Sequence, residues 1–114
     1  MQRKDERIKA VCQQLKKDGD IENFAYDHFR QSDAVPPPFA VYRRVAPQNF
    51  SADGVVYHRG DNVDLEIYAE SPEDMAELME KTEQLLDAAE IYYKLTADTV
   101  YIESEDFYET LYEI

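Results

Sequence analysis

Apolar residues recur with helical spacing near the start of the chain. Ile8, Val11, Cys12 and Leu15 stand at i, i+3, i+4 and i+7, which predicts an amphipathic helix over 2–18 with Gly19 as its stop. The period then shortens. Residues 21–29 alternate weakly and read as a short strand, with Phe24, Tyr26 and His28 on one side and Ala25, Asp27 and Phe29 on the other. Pro36-Pro37-Pro38 gives a stiff, extended entry to a strand over 39–45. There Phe39, Val41 and Val45 share a side with Arg43, while Tyr42 and Arg44 point the other way. A loop over 46–53 and the Asp53-Gly54 turn lead to strands over 55–59 and 63–69, joined by Gly60-Asp61-Asn62. In the second of these, Val63, Leu65, Ile67 and Ala69 alternate with Asp64, Glu66 and Tyr68, the mark of a sheet with one dry and one wet face.

The helix over 71–90 is the strongest local signal. Ser71 is an N-cap, Pro72 suits the first helical position, and Glu73 and Asp74 sit at the positive end of the helix dipole. Met75, Leu78, Met79, Thr82, Leu85, Leu86 and Ala89 form its apolar face. Residues 91–95 and 99–103 read as strands around a turn at 96–98, and 107–114 as a last strand. The fold class expected is α+β. It is a mainly antiparallel sheet of four to six strands with two helices on one face, in the order α-β-β-β-β-α-β-β.

At 114 residues the chain is expected to form one domain, 1–114, able to bury a core without staples. One cysteine, Cys12, excludes an internal disulfide, and its place on the apolar stripe makes it a small core residue. No apolar run approaches the ~20 residues of a membrane span. The charged start lacks the apolar segment of a signal peptide, so export by that route is not expected. Net charge is −13 and uneven: residues 1–19 sum to +3, and 98–114 contain no Lys or Arg. Such acidity repels a phosphate backbone, so sequence-specific binding of nucleic acid is not expected.

Chemistry is scarce. The two histidines, His28 and His58, stand in no metal-ligand spacing, and neighbours such as Asp27 and His28 on a strand diverge to opposite faces. There is no phosphate loop, nucleophile elbow or calcium loop. With 25 carboxylates, chance acid pairs carry no weight. The expectation is therefore no catalytic, cofactor or metal site, and a protein that binds or assembles. The basic first helix and the acidic last strands invite head-to-tail contact between copies. The arginine pair in the strand over 39–45 suits a carboxylate partner, within the chain or beyond it.

From Pro36 onward the chain resembles a family of small proteins from tailed phages and prophages of Gram-positive bacteria. The resemblance rests on the Pro-Pro-Phe strand entry, Asn49-Phe50 with Ala52-Asp53, and Val56-Tyr57. It continues through Leu65-Glu66-Ile67-Tyr68, the acidic helix, the segment from Tyr101 to Glu105, and Tyr112-Glu113. It implies a structural role at the head–tail junction, similar to tail terminators: α+β subunits that form hexameric rings and cap the finished tail tube. The implied partners are further copies of the chain, the major tail protein and head-connector proteins, with no cofactor, no catalysis and no membrane. The implied locations are the virion and, during assembly, the host cytoplasm. Candidate contact residues are Arg43, Arg44, Asn49, Phe50, Asp53, Arg59, Glu103, Glu105 and Asp106. Two alternatives are an acidic phage-encoded regulator that mimics DNA on a basic host site, and a small enzyme built around His28 and His58.

Overall fold

The computed structural model describes residues 3–45 and 62–114. Helix α1 (Lys4–Lys17) is followed by strands β1 (Asn23–Tyr26), β2 (Phe39–Val45) and β3 (Asn62–Ala69). Helix α2 (Pro72–Ala88) and strands β4 (Lys94–Ile102) and β5 (Phe107–Glu113) complete the chain. The five strands form one sheet in the order β1-β2-β3-β5-β4. Among the described strands β1 and β2 run parallel, and the other neighbours are antiparallel. This is the α+β class expected, with a mixed sheet. The strand expected over 55–59, the 60–62 turn and His58 lie outside the described residues, apart from Asn62, which opens β3.

Both helices cover the same face. Ile8, Val11, Cys12 and Leu15 from α1 and Met75, Leu78 and Leu86 from α2 meet Ala40, Tyr42, Val63, Leu65, Ile67, Ala69 and Tyr112 in one core. β3 lies in the middle of the sheet, and its even alternation of buried and half-buried residues matches the expected dry and wet sides. In β2, Ala40 and Tyr42 face the helices. Phe39, Val41 and Arg43 share the opposite side, because their register partners are Tyr68, Glu66 and Asp64 on the wet side of β3.

The helix ends explain the chain path. At the end of α1, Gly19 adopts φ +81°; its N–H bonds Lys16 O at 3.1 Å, and Asp20 N–H bonds Leu15 O at 2.9 Å. That is a Schellman stop, and it drops Ile21 into the core. α2 ends the same way with Glu90 at φ +56°, Glu90 N–H to Asp87 O at 3.0 Å and Ile91 N–H to Leu86 O at 2.9 Å. Here the left-handed position holds a residue with a Cβ, which costs about 1 kcal/mol. The last turn of α2 has no basic residue of its own. Arg7 of α1 supplies the charge, donating from Nη2 to Ala89 O at 2.5 Å and tying the two helices together. At its start, Asp74 N–H bonds Ser71 Oγ at 3.1 Å, as expected of the cap.

One sequence expectation fails at the C-terminal hairpin. Residues 96–98 do not turn the chain; β4 runs through them as a single strand. Two register shifts against β5, between Leu95 and Ala97 and between Ala97 and Val100, absorb the polar residues as bulges. Thr99 takes φ +55°, and its N–H bonds Thr110 Oγ1 at 3.0 Å. The actual turn falls at 103–106, where Asp106 adopts φ +58°.

Candidate functional site

The face of the sheet opposite the helices concentrates the polar chemistry. β2 and β3 place Arg43 opposite Asp64, and Arg43 reaches diagonally to Glu66, with Nη2 2.6 Å from Oε1. The guanidinium also bonds Asp27, by Nε to Oδ1 at 3.3 Å and by Nη2 to the backbone carbonyl at 3.2 Å. Asp27 in turn holds His28, with Oδ2 2.9 Å from Nδ1. This corrects the expectation that Asp27 and His28 diverge. β1 ends at Tyr26 and Asp27 enters the left-handed region at φ +70°, so strand geometry no longer separates the pair. Tyr68 continues the network on the other side, its hydroxyl 2.6 Å from Glu109 Oε2 and 3.1 Å from Glu66 Oε2.

These contacts set the ionisation. The His28 hydrogen bond, then Arg43, hold the Asp27 carboxyl below the ordinary aspartate value. Burial pushes the Glu66 carboxyl above the ordinary value; Arg43 opposes that push and the Glu109 charge adds to it. Burial also raises the Tyr68 phenol, helped by its bond to Glu109. One phenolic proton thus sits between Glu66 and Glu109 while one guanidinium joins the same Glu66 to Asp27, a chain of charges fixed across β2, β3, β5 and the end of β1.

Beside the network lies an aromatic group. Phe39 stacks on Tyr68 with centroids 4.6 Å apart, and Phe29 and Phe107 meet Phe39 edge-on at 5.3 and 5.7 Å. Aromatic and ion-paired side chains in register give a rigid, amphipathic surface suited to contact with another macromolecule. Among the described residues, one cleft of about 390 Å3 is lined by Val45, Asn62, Val63, Asp64, Lys94, Glu113 and Ile114. Among the described residues no group of three or more His, Cys, Asp or Glu is arranged to hold a metal ion. Nor is any helix there long and apolar enough to cross a membrane. Cys12 is fully buried, and burial pushes its thiol up to about 12.

The structure separates the candidate contact residues. Arg43 anchors the network. Arg44 is exposed on the neighbouring side of β2, its N–H bonded to Tyr26 Oη at 3.2 Å. Glu103, Glu105 and Asp106 form the β4–β5 turn, where Tyr101 donates to Asp106 at 2.8 Å. That turn belongs to the Phe39–Phe107 end of the sheet, whereas Arg43 pairs toward the Glu113 end. Asn49, Phe50, Asp53 and Arg59 lie outside the described residues. Sequence reasoning missed Glu66, Tyr68 and Glu109 as a unit. The available signal was the wet side of β3 facing Arg43 across an antiparallel pair; Glu109 lies 41 residues from Tyr68 and carries no local sign of the contact.

Comparison of the chain with protein-family models, with curated proteins and with solved structures finds no match.

Proposed function

We propose that this chain is a structural subunit of the head–tail junction of a tailed phage, acting as a tail terminator by self-assembly and docking on the tail tube. The observation that carries the docking part is the sheet face that, among the described residues, neither helix covers: it bears a charge network and an aromatic group, with both helices on the other side. The resemblance read in the segment from Pro36 onward supports a place in the virion. The acidic half of the chain suits a surface past which DNA must slide without sticking.

The test is assembly with the major tail protein of the same genome. The purified chain, mixed with tail tubes, should form rings that cap tube ends in electron micrographs and stop further growth. A chain that stays monomeric and never binds the tube contradicts the proposal.

One observation favours a second reading. Residues 62–114 carry two basic and 16 acidic side chains, enough to imitate a stretch of nucleic acid. On that reading the chain is a regulator that displaces DNA from a basic host protein. A filter-binding competition in which the chain releases DNA from a captured host protein, with no tube binding, would favour it over the junction role.

A further inference from the structure

The exposed apolar side chains are not scattered. Among the described residues, the large hydrophobics left open to solvent are Tyr26, Tyr92, Leu95, Val100 and Tyr101. Among the described residues, Tyr26 closes β1, one edge of the sheet; Leu95, Val100 and Tyr101 belong to β4, the other edge, and Tyr92 lies two residues before it. Tyr92 is 95 % exposed, and Tyr26, Val100 and Tyr101 are each close to half exposed. β4 leans on β5, and neither helix makes a substantial contact with it. An edge strand presents unpaired N–H and C=O groups, and natural edges are usually kept short, charged or covered. β4 has nine residues and only two charges, Lys94 and Asp98. Its bulges limit the regular stretch to a few residues, a length that the four-residue β1 matches.

Charge selects the partner. Residues 3–45, which build α1, β1 and β2, carry nine basic and seven acidic side chains, a net of +2. Residues 62–114, which build β3, α2, β4 and β5, net −14. The sheet order therefore puts a mildly basic half at the β1 edge and a strongly acidic half at the β4 edge. Two β4 edges brought together would join acidic half to acidic half. A β4 edge against a β1 edge joins opposite signs and stacks exposed apolar residues on each other.

We infer that copies of this chain assemble head to tail through their sheet edges, β4 of one copy adding to β1 of the next. Backbone hydrogen bonds across the join supply affinity, and Val100, Tyr101 and Tyr26 supply the apolar contact. Such a contact is heterologous, so repetition closes into a ring or continues as a filament. The inference rests on the self-assembly proposed above and names its surface.

Two edge-blocking variants test it. Val100→Asp spoils the β4 edge, and Tyr26→Asp spoils the β1 edge. Each alone should self-associate at least about tenfold more weakly than wild type by analytical ultracentrifugation, since apolar anchors dominate such contacts. Mixed in equal amounts, they should form a dimer and nothing larger, because one wild-type junction remains available. Circular dichroism checks that each variant folds; if Tyr26→Asp does not, the milder Tyr26→Ser takes its place. A mixture that stays monomeric overturns the inference. So does a Tyr26 variant that associates like wild type while the Val100 variant fails, the signature of a symmetric β4–β4 contact. Wild-type rings that both variants still form overturn the edge assignment and leave the junction role standing. A wild-type chain that never self-associates, alone or with tail tubes, overturns both.

Discussion

Removing Arg43 tests the charge network most sharply. Arg43→Met keeps the aliphatic stem but leaves Glu66 without its guanidinium. An exposed ion pair is worth ~0.2–1 kcal/mol, whereas stripping one partner from a buried pair costs about 3–5 kcal/mol. The Arg43 side chain is 32 % exposed and that of Glu66 13 %, so this pair lies between those limits. A loss of about 1–3 kcal/mol at neutral pH follows from that position. The pH dependence gives the origin away. In the folded chain the Glu66 carboxyl already lies above its ordinary value of 4.5, through burial, and without Arg43 it rises further. A carboxyl raised by folding holds its proton more tightly in the native state, so stability grows as pH falls through the raised value toward the ordinary one. The deficit of Arg43→Met should therefore shrink as the medium is acidified across that window. The double variant Arg43→Met with Glu66→Gln should recover most of the loss. Urea unfolding of wild type, both single variants and the double variant at several pH values gives the coupling directly. A deficit independent of pH, or no larger than that of exposed Lys9→Met, would refute the account of the network.

Other outcomes follow from single contacts. Glu90→Gly should stabilise the fold by ~0.5–1 kcal/mol, because φ +56° suits glycine and the lost side chain is exposed; chemical denaturation that shows a loss instead contradicts the helix-stop geometry. Cys12 should resist a thiol-specific reagent at pH 8 until the chain is unfolded, since it is buried and its thiol is pushed up to about 12; rapid labelling of the native protein would place it elsewhere. The Tyr68 and Tyr112 phenols, raised by burial and by bonds to Glu109 and Glu83, should stay protonated above the ordinary tyrosine value of 10. Their stabilising effect is complete below that value and is lost as pH climbs beyond it. An ultraviolet titration should thus show late tyrosines that ionise together with unfolding, and a single uniform step near pH 10 with the fold intact would count against it.

Much of this architecture is legible in local patterns. α2 announces itself by its cap, its acidic first turn and an apolar stripe, and β3 by strict alternation. What stayed hidden depends on pairing between distant strands. Alternation alone does not say which side of β2 meets the helices; register with β3 puts Phe39, Val41 and Val45 on the side away from them. Asp27 and His28 meet because one residue enters the left-handed region, which a period-two argument does not foresee. Thr96, Ala97 and Asp98 read as a turn, and pairing with β5 carries β4 through them with two shifts of register. Of the candidate contact residues, Arg43 entered a network whose other members come from β3, β5 and the end of β1, and only the sheet order unites them.

Hydrogen–deuterium exchange measured before and after assembly reads the edge-to-edge joining of copies strand by strand. Amides of Lys94–Ile102 and Asn23–Tyr26 should become protected on assembly while those of both helices keep their rates. New protection confined to the outer faces of α1 and α2, with the two sheet edges unchanged, would contradict it.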